Sequence, residues 1–213
     1  MIQDVLKQIA WLGHASIRMR ASSNTIYIDP WKLKSFLPAD IILISHEHFD
    51  HFSKEDVEKL RKDATVIVTI PVVAEQLTGD VKAVRPGDTV TVKGIKIEAV
   101  AAYNIDKFRS PGVPFHPQAD KKLGFVVEAE GVRVYHSGDT DQIPEMASVK
   151  PDIAILPVGG KYTMTAAEAV QALGVLKPKI AIPIHYGVVA GSLADAEQFK
   201  REASVEVHIL QAE

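Results

Sequence analysis

Four side chains able to bind a metal ion lie within six consecutive residues: His46, His48, Asp50 and His51 form the motif H-x-H-x-D-H. An apolar run at 39–44 precedes them, so the motif begins where a buried strand is expected to end. His46 and His48 are two residues apart, and on extended backbone such side chains point to the same side. Neutral imidazole and carboxylate suit Zn²⁺, Mn²⁺ or iron. The spacing predicts a metal site rather than a solvated, histidine-rich loop.

Two later segments repeat this arrangement of an apolar strand followed by potential ligands. The run at 132–135 leads into His136 and, three residues later, Asp139, while the run at 180–184 leads into His185. Strand ends at one edge of a sheet can gather residues that are distant in sequence. The chain has no cysteine, so disulfides and thiolate ligands are excluded. Any metal site has to use histidine and carboxylate.

Strand and helix patterns alternate along the whole chain. Hairpins are predicted at 15–29 and 123–137, and further strands at 39–44, 65–69, 81–103, 152–157, 179–184 and 205–210. Helices are predicted after the N-cap residues Ser53, Thr165 and Ser192, with a short helix opening at Pro71. Residues 104–122 show no periodicity and are predicted to form a long irregular loop. The mixed order argues against a purely parallel sheet and fits two packed sheets with helices outside.

The bulk composition is that of a globular protein. With 213 residues, of which 46% are hydrophobic and 24% charged, the chain is expected to form one domain over 1–213. Its net charge of −3 argues against a nucleic-acid partner, which usually requires a basic face. Residues 1–4 do not open a signal peptide, and no apolar run reaches transmembrane length. We therefore expect a cytoplasmic protein with no membrane association.

The motif H-x-H-x-D-H, a later G-D-T at 138–140 and a strand ending at His185 resemble the metallo-β-lactamase superfamily of hydrolases, over nearly the whole chain. The segments 11–16, 28–30, 156–160 and 162–164 are similar to the branch containing L-ascorbate-6-phosphate lactonase and the N-acylphosphatidylethanolamine phospholipase D-like proteins. The resemblance implies an α+β fold, a four-layer αββα sandwich of two mixed sheets flanked by helices. It also implies a dinuclear metal site at one edge.

The same resemblance implies two divalent metal ions as cofactors, expected to be Zn²⁺ with Mn²⁺ or iron as alternatives. Carried over to this chain, the first ion takes His46 and His48, the second takes Asp50, His51 and His185, and both share Asp139. Asp50 and Asp139 are the expected catalytic residues, and Asp139 would also help to orient the nucleophile. A hydroxide held between the ions would attack an ester, lactone or phosphodiester of a small anionic substrate.

One ligand of the resembled pattern is missing. The first ion needs a third histidine, usually at the end of the strand before the G-D-T hairpin, and this strand ends instead at Asn104. Either Asn104 takes that place as a weak oxygen ligand or supporting group, or His116 enters from the irregular loop. We favour His116, because imidazole is the better ligand for these metals.

Several further residues have two readings. His14 is predicted either to border the pocket or to be a hydrogen-bonded structural histidine. His136 is predicted either to orient a metal ligand or to be a strand residue whose hydrogen bonds are simply satisfied. Asp29 either supports a metal ligand or only forms a turn before Pro30. The cations that would contact an anionic substrate are Lys107, Arg109 and Lys161.

Three alternatives to the hydrolase remain. An endonuclease of the same superfamily is disfavoured, because the chain has no long basic insertion to grip RNA. A mononuclear iron oxygenase or redox protein would keep the fold and change the chemistry. A non-catalytic metal-binding module is the third alternative, and the histidine missing at Asn104 is the feature that supports it.

Overall fold

A computed structural model describes residues 1–213, the whole chain. Six strands form the first sheet in chain order: β1 (Ile9–Gly13), β2 (Ser16–Ala21), β3 (Asn24–Ile28), β4 (Ile41–Ile44), β5 (Val66–Thr69) and β6 (Asp80–Ala83). The strands β1 to β3 are antiparallel, whereas β3 to β6 run parallel. The sheet is therefore mixed, as predicted.

The rest of the chain contributes nine strands: β7 (Thr89–Val92), β8 (Ile95–Ala101), β9 (Phe108–Ser110), β10 (Val113–Pro114), β11 (Leu123–Ala129), β12 (Val132–His136), β13 (Ile153–Pro157), β14 (Ile180–Ile184) and β15 (Glu206–Val207). Seven of them form the second sheet in the order β15-β14-β13-β12-β11-β8-β7, and β9 pairs only with β10. The strands β12 to β15 run parallel, and the others are antiparallel.

Six helices complete the fold: α1 (Ile2–Leu6), α2 (Lys54–Leu60), α3 (Pro71–Ala74), α4 (Met146–Val149), α5 (Ala166–Leu176) and α6 (Leu193–Glu202). The predicted N-caps are confirmed for α2 and α5, where the Ser53 and Thr165 side chains accept hydrogen bonds from the Asp56 and Glu168 amides. Pro71 lies in the first turn of α3, where its missing N–H costs nothing.

Alternating side chains divide the interior into two cores. Phe125, Val134 and Ile155 of the second sheet join the residues of the first sheet in a core of 40 buried residues. Their strand neighbours Val126 and Tyr135 point the other way, into a core of 20 residues shared with α4, α5 and α6. The predicted αββα sandwich is confirmed, with the larger core between the sheets.

Two predicted elements differ from the structure. The segment 104–122 is not wholly irregular, because it contains the short β9–β10 hairpin and a 3₁₀ turn at Gln118–Asp120. The last strand covers only Glu206–Val207, because it pairs with β14 at two positions before the chain crosses to Trp11. The first elements, α1 and β1, were not predicted, since neither shows a clean periodicity. No helix is long and apolar enough to cross a bilayer; the cytoplasmic location stays a prediction.

Candidate metal centre

The candidate ligands follow the carboxyl ends of parallel strands. The H-x-H-x-D-H motif begins two residues after β4, Asp139 lies three residues after β12, and His185 directly follows β14. Carboxyl ends of parallel strands meet at one edge of a sheet. Because the two sheets pack face to face, these edges bring together residues from both halves of the chain.

All seven predicted ligands lie in three overlapping groups whose nitrogen and oxygen atoms are within 4.8 Å of one another. The groups are His46, His48 and His116; His46, His51 and Asp139; and Asp50, His51 and His185 together with His14. Asp139 lies at the centre. Its Oδ1 is 3.2 Å from His51 Nε2, and its Oδ2 is 3.2 Å from His185 Nε2 and 3.4 Å from His116 Nε2. This central carboxylate has the position that a bridging ligand requires.

Several atoms at this centre are buried without a hydrogen-bond partner. They are His46 Nε2, His51 Nε2, His185 Nδ1 and Nε2, and Asp139 Oδ1. An unpaired buried polar atom costs roughly 1–3 kcal/mol, so a group of them within one cluster of candidate ligands favours a bound partner there. Imidazole nitrogens and a carboxylate oxygen are the donors that zinc-like cations take. The residues present therefore fit a metal ion.

Asp29 fixes the orientation of two candidate ligands. Its Oδ2 accepts from His51 Nδ1 at 2.7 Å and from Ser45 Oγ at 2.6 Å, and its Oδ1 accepts from the Ser45 amide at 2.7 Å. The Ser45 hydroxyl also lies 2.9 Å from His46 Nδ1. With Nδ1 occupied in both rings, Nε2 is the atom left to face Asp139. The supporting contact predicted for Asp29 is confirmed.

Asn104 holds His116 in place. Its Oδ1 accepts from the His116 amide and lies against His116 Nδ1, both at 2.8 Å, while its Nδ2 donates to the Tyr162 carbonyl at 2.9 Å and to Asp141 Oδ1 at 3.2 Å. An amide oxygen can only accept, so Nδ1 carries the proton, and the unprotonated Nε2 is directed at the cluster, 3.2 Å from His48 Nδ1. The structure thus brings His116 to the cluster and makes Asn104 its support.

His14 and His136 differ in their relation to the candidate ligands. His14 Nε2 lies 2.9 Å from Asp50 Oδ2, and the His14 carbonyl accepts from the His185 amide at 2.9 Å, so this buried residue contacts two candidate ligands without lining the cavity itself. His136 Nε2 instead contacts the Ala15 carbonyl at 2.8 Å, and its Nδ1 accepts from the Gly138 amide at 3.2 Å. His136 is therefore satisfied within its strand and does not orient a ligand.

Gly138 allows Asp139 to reach the centre. Its φ of +62° is a conformation that other residues rarely adopt, and a Cβ there would lie 2.3 Å from the Leu123 carbonyl oxygen. The G-D-T turn therefore requires glycine at this position for two independent reasons.

The charges at the centre are strongly coupled. Burial lowers the pKa of His46 well below its usual value. Burial also opposes a charge on His51 and on Asp139, but their mutual attraction outweighs it, with help from Asp29 and His185. The pKa of His51 is therefore raised well above its usual value, and that of Asp139 lies well below. Burial thus favours the neutral form of His46, whereas Asp139 favours the protonated form of His51.

The predicted anion contact at Lys107 is wrong. Its ammonium lies 2.9 Å from Glu168 Oε1, pairs with Asp106, and is 3.8 Å from Asp141 Oδ1, so protein carboxylates already neutralise it. Arg109 is exposed on β9, and the exposed Lys161 lies over the Tyr162 ring at 5.0 Å. The pocket therefore receives no lysine or arginine from this group.

Sequence reasoning missed a buried lysine beside the motif. Lys122 is 1% exposed and forms an ion pair with Glu47, the residue between His46 and His48. The next amide, of Leu123, donates to the Ser45 carbonyl at 3.1 Å. These two contacts attach β11 to the start of the metal-binding motif. The second of two adjacent lysines at the end of a polar loop carries no sequence signal for this role.

A cavity of about 260 Å³ opens onto the centre. It is lined by His48, Phe49, Asp50, Phe115, His116, Asp139, Tyr162 and Val189. A larger cavity of about 430 Å³ lies elsewhere, along β8 and α4, and none of the histidines line it. Candidate metal ligands therefore line the smaller cavity, where the proposed reaction would take place.

Relatives of known family cover nearly the whole chain. Residues 8–185 match the family model described as "Beta-lactamase superfamily domain". The chain is 31% identical to a UPF0173 metal-dependent hydrolase of Methanopyrus kandleri, over 96% of each chain. It is 33% identical to a UPF0173 metal-dependent hydrolase of Thermoplasma acidophilum, over 91% of this chain and 89% of the relative.

The fold is also found in crystal structures. A Parabacteroides distasonis protein described as a metal-dependent hydrolase superposes with a TM-score of 0.83 at 35% identity, covering 95% of this chain and 93% of the other. Igni18, a metallo hydrolase of Ignicoccus hospitalis, shares the fold with a TM-score of 0.78 at 24% identity, over 96% of this chain and 94% of Igni18. The chain belongs to the UPF0173 family of metal-dependent hydrolases within the metallo-β-lactamase superfamily.

Proposed function

We propose that this hydrolase uses two divalent metal ions, zinc in the first instance, to cleave an ester, a lactone or a phosphodiester. The observation that carries the proposal is the set of unpaired buried atoms facing Asp139. The proposed first site is His46, His48 and His116, the second is Asp50, His51 and His185, and Asp139 serves both. The chemistry supplied by two bound ions is activation of water at neutral pH and polarisation of the scissile carbonyl or phosphoryl oxygen.

The chain's own residues prepare this centre. Asp139 is buried between three imidazoles, two from the proposed second site and one from the first, so its carboxylate could contact an ion in either site. Asp50 is held by His14 at 2.9 Å and lines the cavity, where it can orient the attacking water. With His116 supplied from the loop, neither proposed site lacks a third protein ligand. The non-catalytic alternative loses the feature that supported it.

The finer resemblance guides the choice of test substrates. Segments shared with the lactonase and phospholipase D-like branch include His14, which contacts Asp50, and Asp29, which contacts His51. Lactones and phosphodiesters are therefore the first compounds to try. Because Lys107 is paired with carboxylates, an anionic substrate would have to be neutralised chiefly by the metal ions.

Elemental mass spectrometry on protein purified without chelator or a polyhistidine tag tests the proposal. We expect about two metal ions per chain, hydrolysis within a panel of aryl esters, lactones and phosphodiesters, and loss of both in Asp139→Ala. Asp63→Ala removes an exposed carboxylate outside the cluster and should change neither. A protein that binds no zinc, manganese or iron after reconstitution, or one that cleaves its substrate equally well after chelation, contradicts the proposal.

A further inference from the structure

The cavity at the candidate metal centre has two chemically different halves. One half consists of proposed metal ligands: His48, Asp50, His116 and Asp139. The other half, here called the apolar wall, consists of Phe49, Phe115, Tyr162 and Val189. Both halves line one opening, so a substrate whose reacting bond reaches Asp139 has to place the rest of its structure against the apolar wall.

Aromatic contacts hold the apolar wall in shape. The rings of Phe115 and Tyr162 meet edge to face, with centroids 4.8 Å apart at 90°. Phe49 lies edge-on against Trp31 with centroids 5.8 Å apart, and it is nevertheless 67% exposed. Exposed apolar surface next to a polar site is favourable to cover, because its burial releases ordered water.

The cavity offers no cation from the protein. No lysine or arginine lines it. Lys107 is paired with Glu168, and Lys122 is buried against Glu47. Two exposed ammonium groups lie near the apolar wall without lining the cavity: that of Lys161 lies over the Tyr162 ring, and that of Lys32 lies over the Trp31 ring, which Phe49 contacts. A charged substituent placed against the apolar wall would lose hydration without gaining a partner, which is unfavourable.

We propose that the apolar wall binds an uncharged aromatic or aliphatic group of the substrate while the reacting bond lies beside Asp139. This inference rests on the proposed function and narrows its substrate class to small esters, lactones or phosphodiesters with an uncharged apolar substituent. The cavity of about 260 Å³ lies below the range of roughly 300–1,000 Å³ found for drug-sized ligands. The substituent is therefore small, about the size of one ring.

Hydroxamates, which chelate metal ions, test this preference without turnover. Binding of benzohydroxamate, 4-carboxybenzohydroxamate and acetohydroxamate to the zinc-loaded protein is measured by calorimetry. Benzohydroxamate should bind at least about tenfold more tightly than its carboxylated analogue, which has to bury a charge. Equal or tighter binding of the carboxylated probe, or no binding by any probe, overturns the proposal.

Substitutions test whether the apolar wall causes the preference for the uncharged probe. Phe49→Ala should weaken benzohydroxamate binding by roughly five- to tenfold, the scale of one aromatic contact, and leave acetohydroxamate unchanged. Because Phe49 is 67% exposed, its truncation leaves no buried cavity. Phe36→Ala, a half-exposed aromatic that does not line the cavity, is the control and should change neither affinity. Lys161→Gln should leave the preference for benzohydroxamate over the carboxylated probe unchanged. A clear rise in that preference would show that the Lys161 ammonium pairs with the carboxylated probe, and would contradict the premise that the apolar wall has no cationic partner.

The outcomes separate this inference from the proposed function. If no panel substrate is hydrolysed but the hydroxamates show the expected order, the hydrolytic proposal fails and the binding preference stands. If hydrolysis is observed and requires metal, but Phe49→Ala leaves benzohydroxamate binding unchanged, the substrate-class inference alone fails.

Discussion

Asn104 uses every hydrogen-bonding group of its side chain within the site. Its carbonyl oxygen faces the His116 amide and ring, and its amide group donates to Asp141 and the Tyr162 carbonyl. Because both its carbonyl oxygen and its amide nitrogen are hydrogen-bonded, the Asn104 side chain has one orientation. It can therefore fix the orientation of the His116 ring that it contacts. Without the Asn104 side chain, no contact would fix the tautomer of His116 or the orientation of its ring.

Replacement of Asn104 by alanine should therefore weaken the proposed first metal site. We expect the affinity for one of two zinc ions to fall by about 10–100-fold, the usual cost of losing a group that orients a ligand. Competition with a chromophoric chelator measures each affinity. Gln118→Ala changes an exposed amide in the same loop and should bind zinc as the unaltered protein does. Unchanged affinity in Asn104→Ala would mean that His116 is not a ligand.

The sequence predicted ligands well where local spacing carries the information. His46, His48, Asp50 and His51 share one turn of chain after a buried strand, so their proximity follows from connectivity alone. His116 was favoured on ligand chemistry, and the structure does bring it to the cluster. Lys122 could not be predicted, because its pairing with Glu47 depends on how β11 meets the end of β4 across the two sheets.

At the scale of elements, the sequence correctly predicted strands that are apolar and helices that begin at an N-cap residue. It failed at 104–122, where hydrogen bonds from the Phe115 amide to the Lys107 carbonyl and from the Asn104 amide to the His116 carbonyl close the segment on itself. Such closure depends on non-local pairing and leaves no periodicity in the sequence. The second sheet shows a comparable non-local link, in which Arg133 of β12 reaches across β11 to Glu98 of β8.

The Arg133–Glu98 pair should make stability depend on pH. Arg133 holds the pKa of Glu98 at about 2, below its usual 4.5, so the pair stabilises the fold above pH 4.5 and is lost as the pH falls towards 2. At pH 7, Glu98→Gln should lower the melting temperature by about 2–4 °C, since a solvent-screened pair is worth up to about 1 kcal/mol. The difference should shrink between pH 5 and pH 2.

Scanning calorimetry of both proteins across this pH range tests the pair. Glu197→Gln removes an exposed carboxylate of α6, far from β8 and β12 in the chain, and serves as the control with little effect across this pH range. A Glu98→Gln deficit that stays constant down to pH 2 would assign the loss to packing rather than to the ion pair.

At the scale of the whole molecule, the candidate centre joins the two sheets. His46 and His51 follow β4 of the first sheet, whereas Asp139 and His185 follow β12 and β14 of the second. The sequence predicted both sheets and the order of the ligands along the chain. The meeting of their edges depends on how the larger core packs, which no local pattern specifies. A metal ion bound here would therefore link the two halves of the sandwich.

Metal binding should for this reason raise the stability of the entire fold. An ion present at 100 times its dissociation constant contributes about 2.7 kcal/mol, which for a chain of this length corresponds to about 5–11 °C in melting temperature. We expect this rise when zinc is added to chelator-treated protein. The double variant His46→Ala/His185→Ala, which removes one ligand from each sheet, should lose it, whereas His208→Ala, outside the cluster, should keep it. An equal rise in the double variant would place the stabilising ions elsewhere on the surface.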